Sequence, residues 1–155
     1  MPSPLLFGLL IGLAQLFATL LVFALGLHGS SEALPKAQMP ESMIGFILLM
    51  VILGLAHRSA KKTTLARGGE FGFGAAAKMF GLVAAVGGLT TGLGQWLYLA
   101  VINPGLRTLQ HAEIMKRMEP ELAKLAAEDA AKVVQQIDHA TSAAARGLVY
   151  GINTL

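Results

Sequence analysis

The chain has no cysteine among its 155 residues, which excludes a disulfide framework, a thiolate metal site and a cysteine nucleophile. Charge is scarce as well. Asp, Glu, Lys and Arg make up 14% of the residues, against about 25% in an average soluble domain. Catalytic patterns are also missing. His28, His57, His111 and His139 stand apart near the ends of elements, with no HExxH or His/carboxylate spacing suited to a metal. No GxSxG occurs, and Gly72-Phe73-Gly74 is not followed by the Lys-Ser or Lys-Thr pair of a phosphate loop. Glu128 and Asp129 are adjacent on a helical stretch, so they point to different faces and read as solvated. These absences predict a protein that is not an enzyme and needs no metal or cofactor.

Apolar sequence is what the chain has in quantity: 54% of residues are hydrophobic and the mean hydropathy is +0.62. A bilayer core about 30 Å thick is crossed by roughly 20 apolar residues in a helix. Residues 4–27 form an uncharged first span broken only by Gln15 and Thr19 among strongly polar types. A cleaved signal peptide is the rival reading, with Ala24-Leu25-Gly26 as its cleavage site, but no Lys or Arg precedes Lys36. The second span is placed at 41–58. Pro40 and Glu41 suit a first helical turn, and Met43–Ala56 is unbroken apolar sequence. The third span covers 76–102, with Trp96 and Tyr98 as interfacial aromatics and Asn103-Pro104-Gly105 as its terminator.

Charge distribution sets the expected orientation. Residues 54–80 carry Arg58, Lys61, Lys62, Arg67 and Lys78 against Glu70, a net +4, whereas the remaining seven bases and eight acids sum to −1. That concentration between two spans is the positive-inside pattern. It predicts a cytoplasmic N-terminus, a cytoplasmic 58–67 loop and a periplasmic 104–145 region in a bacterial inner membrane. The high pI then requires no nucleic-acid partner, and Arg58, Lys61 and Lys62 are expected to meet lipid headgroups. Helices are expected over 106–119 and, restarting at Pro120, over 120–145, with Leu122, Leu125, Ala126, Val133 and Ile137 near one face. Glu113–Arg117 and Glu128–Lys132 are favourable i,i+4 pairs. Residues 146–155 read as the first third of a fourth span, which implies a truncated sequence or a half-inserted end.

Nine of the 18 glycines lie between Gly68 and Gly94, a density that asks for close helix packing. Gly8 and Gly12 form one small-residue row, and Ala84, Gly88 and Gly92 another. The rows are expected to pack span one on span three, or to meet a partner or a second copy. Gln15, Thr19, Thr90, Thr91 and Gln95 are the polar groups at membrane depth, suited to interhelical hydrogen bonds. No carboxylate, His or Arg lies in the three apolar runs, which argues against an ion pump. The reading is therefore an all-α, polytopic membrane protein in one domain over 1–155, with three spans, an incomplete fourth and an extramembrane amphipathic segment. Its expected role is an accessory or scaffolding subunit beside other membrane subunits. The alternative is a small oligomeric transporter or channel for a neutral solute or lipid, with Gln15, Thr90, Thr91 and Gln95 along its path.

The order of features carries a resemblance. Gly45-Phe46-Ile47-Leu48-Leu49 leads to Gly54 and a basic His57-Arg58 exit, then to Gly68-Gly69, Phe71-Gly72-Phe73-Gly74-Ala75 and a glycine-rich third helix. This resembles the bacterial membrane family catalogued as domain of unknown function 4199, over nearly the whole chain. The resemblance implies a small four-helix inner-membrane protein with an amphipathic helical stretch between helices three and four. It implies no reaction and no site residues.

Overall fold

The computed structural model describes residues 3–30 and 32–154. Six α-helices follow one another, α1 (Pro4–Ala24), α2 (Leu34–Ala66), α3 (Phe73–Leu97), α4 (Pro104–Leu122), α5 (Ala127–Ala140) and α6 (Ala143–Asn153), and a π-helical turn, Tyr98–Ile102, extends α3. No strand occurs among the described residues. α1, α2 and α3 with its π turn are each long and apolar enough to cross a membrane. Their outer surface is apolar too: Leu13, Phe17, Phe46, Ile47, Leu89 and Leu93 are all more than half exposed. A water-soluble fold would hide such a surface. The chain is a membrane protein.

Helix ends follow local chemistry. Ser3 caps α1, its side chain accepting from the Leu6 N–H, with Pro4 in the first turn where a missing N–H costs nothing. Gly26 and Gly68 follow α1 and α2 with positive φ, +76° and +71°, the left-handed conformation that glycine supplies at a helix end. α2 starts earlier and ends later than 41–58. Pro40 lies inside the helix, because a proline near the start removes only one ladder bond and the apolar run beyond it carries the helix on. At 1.5 Å per residue, the 33 residues of α2 extend about 50 Å, well beyond the bilayer core. Arg58, Lys61 and Lys62 thus ride on its last turns, with Arg58, Lys61 and Lys62 exposed, and the 58–67 segment is mostly helix.

The π turn ends with Asn103 N–H donating to the Tyr98 carbonyl at 2.7 Å. The Asn103 side chain then caps α4, accepting from the Leu106 N–H at 3.2 Å. Pro120 does not begin a new helix. It lies inside α4, two residues before the end, where few hydrogen bonds remain to be lost. The stretch 120–145 is likewise not one helix. It breaks after Leu122 and again at Thr141-Ser142, where Ser142 caps α6 by accepting from the Ala145 N–H at 3.2 Å. α5 folds back on α4, joined by His111 Nε2 to Asp138 Oδ1 at 2.7 Å. Arg117–Glu113 at 3.0 Å and Lys132–Glu128 at 2.7 Å form along the exposed faces.

α3 is the central element, with α1 on one face, α6 on another, and α2 packed chiefly on α1. α1 and α3 run parallel. Gly8 meets Val86, Gly12 meets Thr90, and Gly94 meets Leu16. α6 runs antiparallel to α3, since Gly147 meets Gly92 while Gly151, one turn on, meets Gly88. One core cluster, Phe7, Ile11, Ala56, Met79 and Val83, joins α1, α2 and α3 toward the Ala66 end of α2. A second, Tyr98, Leu99, Leu106 and Ala143, joins the π turn to α4 and α6.

Candidate functional site

The two glycine rows do not pack on each other. Gly8 and Gly12 of α1 face α3 at Val86 and Thr90, whereas Gly88 and Gly92 of α3 face α6. A Cβ at Gly92 would stand 2.8 Å from the Gly147 carbonyl oxygen, and one at Gly151 would stand 2.7 Å from that of Gly88. α3 thus presents two contact faces on nearly opposite sides, about 150° apart at about 100° per residue, and Ala84 is half-buried one turn before Gly88. Next to the second face, a furrow of about 670 Å³ runs along α3 and α6, with Gly88, Gly92 and Gly147 among its lining and Leu89, Trp96 and Leu148 at its sides.

The polar side chains at membrane depth join helices. Gln15 Nε2 donates to the Gly45 carbonyl of α2 at 3.3 Å. Thr90 Oγ1 lies 3.3 Å from the Gly8 carbonyl of α1 and 2.8 Å from the Val86 carbonyl one turn back. Gln95 Nε2 donates to Thr19 Oγ1 at 2.6 Å, across α3 and α1. Thr91 is buried and its hydroxyl has no partner. Of the four residues assigned to a polar path, three therefore bond a neighbouring helix.

At the Asn103 end of the bundle these bonds continue into a buried cluster of titratable groups. His28 Nδ1 lies 2.6 Å from the Tyr98 hydroxyl, and His28 Nε2 lies 3.3 Å from Glu41 Oε2. Thr19 Oγ1 donates to Glu41 Oε1 at 2.5 Å, and Asn103 Nδ2 donates to the Tyr98 hydroxyl at 3.0 Å. Tyr98 has no exposed surface and His28 only 5%. One proton arrangement satisfies the cluster: Tyr98 O–H donates to His28 Nδ1, and the neutral imidazole donates from Nε2 to the Glu41 carboxylate. Phe23 packs edge-on against the Tyr98 ring at 5.9 Å. Glu41, expected at the first turn of the second span in the headgroup zone, is instead roughly two turns inside α2 and bonded across to α1.

Above the cluster lies a cavity of about 300 Å³ between α2, α4 and α6. His28, Gln38, Glu41, Gln110, Glu113, Arg117, Arg146 and Tyr150 supply its polar lining. Periodicity hides this site because its residues come from four separate segments, the turn after α1, α2, α4 and α6. A signal existed nonetheless. Alternation of the spans puts the end of the first, the start of the second and the end of the third on one side, which brings His28, Glu41 and Tyr98 together. Among the described residues no group of three or more His, Asp and Glu side chains could hold a metal.

The family model described as "Protein of unknown function (DUF4199)" matches residues 6–153. No curated protein matches the chain, and no solved structure does.

Proposed function

Because the chain belongs to the DUF4199 family, whose function is unknown, we propose its role from its own surfaces: it is a non-catalytic accessory or scaffolding subunit of a larger membrane assembly. The observation that carries this reading is the furrow along α3 and α6. Its floor is glycine and its walls are Leu89, Leu93, Trp96, Leu148 and Ile152. Small residues along an apolar groove let a second helix approach closely where lipid supplies no hydrophobic driving force. A transmembrane helix of another subunit fits this chemistry. The polar groups of the cluster are held by one another, with no free nucleophile among them, which supports a structural role over a catalytic one. The net +4 of residues 54–80 supports an inner-membrane placement with the Arg67 end in the cytoplasm and α4 and α5 in the periplasm.

Purification of the full chain in mild detergent, followed by mass spectrometry, tests the reading. A stoichiometric heterologous membrane protein is expected, and Ala85→Phe, which fills the furrow, should release it. A pure homo-oligomer that conducts a neutral solute in liposomes would overturn the subunit role in favour of the transporter.

A further inference from the structure

The cavity between α2, α4 and α6 holds two buried polar atoms that the rest of the fold does not satisfy. Glu113 is paired with Arg117 at 3.0 Å. Glu41 is held by Thr19 and His28. Arg146 has neither: among the described residues it forms no ion pair, and its Nε is buried without an acceptor. Gln110 Oε1, lining the same cavity, is buried without a donor. A guanidinium whose Nε is shielded from water while its outer nitrogens stay accessible calls for an anion with two acceptor oxygens, which phosphate presents in matching geometry. An orphan amide oxygen near a carboxylate calls for a group rich in N–H donors, and an ammonium has three.

The place is also informative. The cavity is lined by α4, which is too charged to span, by the start of α2 and by α6, whose Gly147 beside Arg146 meets Trp96. Headgroups occupy the level of an interfacial aromatic in a bilayer. Its volume of about 300 Å³ is at the lower end for small-molecule sites, enough for a headgroup with acyl chains left outside. We propose that this cavity binds a phosphoester bearing a primary ammonium group, the chemistry of phosphoethanolamine, with Arg146 on the phosphate and Gln110 and Glu41 on the ammonium. The site stands independently of the subunit reading, since it uses no furrow residue.

The test uses the full chain, delipidated in detergent, with phosphatidylethanolamine and phosphatidylcholine of identical acyl chains followed by native mass spectrometry. Choline's quaternary ammonium has no N–H, so phosphatidylethanolamine should bind at least about tenfold tighter. Arg146→Gln should weaken it by at least about tenfold, Arg146→Lys should recover part of the loss, and Gln110→Leu should erase the preference between the two lipids. Arg107→Gln, an exposed charge on α4, should change nothing. Displacement by free O-phosphoethanolamine would identify a soluble phosphoester as the source, and its failure would identify the lipid; either supports the assignment. Equal affinity for the two lipids, unchanged binding in Arg146→Gln, or displacement by inorganic phosphate as effective as a displacement that O-phosphoethanolamine achieves would overturn it. Should Arg146→Gln not fold, Gln110→Leu decides by whether the lipid preference survives.

Discussion

Gly147→Ala should loosen α6 from α3, although the same exchange elsewhere in these helices should stabilise. A Cβ on Gly147 would stand 2.7 Å from the Gly92 carbonyl oxygen and 3.0 Å from Trp96 Cβ, where ordinary contact begins at 3.4 Å. The first of these partners is backbone, and neither can rotate away. The relief is for α6 to move off α3, which also opens the adjoining Gly151–Gly88 contact. Overpacking of this kind costs about 1–3 kcal/mol. At Gly81 a Cβ meets nothing within 4 Å, so alanine there should add up to about 1 kcal/mol through helix propensity. The two substitutions thus have opposite signs. Trp96, the chain's single tryptophan, stands at the contact, so its fluorescence reports the opening directly. Thermal unfolding in detergent, followed by circular dichroism and by Trp96 emission, measures both. A midpoint that rises in Gly147→Ala, or falls equally in Gly81→Ala, would refute the packing argument.

The remaining predictions concern single residues. Tyr98→Phe keeps the ring against Phe23 but leaves His28 Nδ1 and Asn103 Nδ2 without their shared partner, and should lower stability by about 1–3 kcal/mol in the same unfolding assay. Gly94→Ala places a Cβ 3.5 Å from Leu16, ordinary contact, and should leave the midpoint within about 0.5 kcal/mol of wild type; a large loss would mean that α1 and α3 sit closer than described. Lys62→Cys should be shielded from a membrane-impermeant thiol reagent in intact cells while Lys116→Cys reacts, and the opposite labelling would invert the proposed topology.

Sequence by itself determined the parts of this protein that depend on composition and local chemistry. Uncharged runs long enough to cross a bilayer give helices because backbone groups in hydrocarbon have no partner except one another. Asn103-Pro104-Gly105 ends the third span, since Pro104 suits a first helical turn and Asn103 caps it. The glycine rows announced close contacts for the same local reason: no side chain intervenes. Local signals were weaker where several weak preferences compete. Pro40 and Pro120 looked like starts, yet each lies inside a helix whose other bonds outweigh the one removed, and Ser142 capped a helix that continuous periodicity had concealed.

Tertiary structure alone decided which face meets which neighbour. Gly87 and Gly88 are adjacent and only about 100° apart around the helix, yet Gly87 meets α1 and Gly88 meets α6. No periodicity in one chain distinguishes two such partners. It also drew Glu41 inward to Thr19 and His28, because a carboxylate near the apolar core is stable only where donors converge on it. Those donors come from α1 and from the turn after it, with Tyr98 behind them from the end of the third span. Their convergence, like that of Gln110 and Arg146 on one cavity, exists only once the helices have been brought side by side.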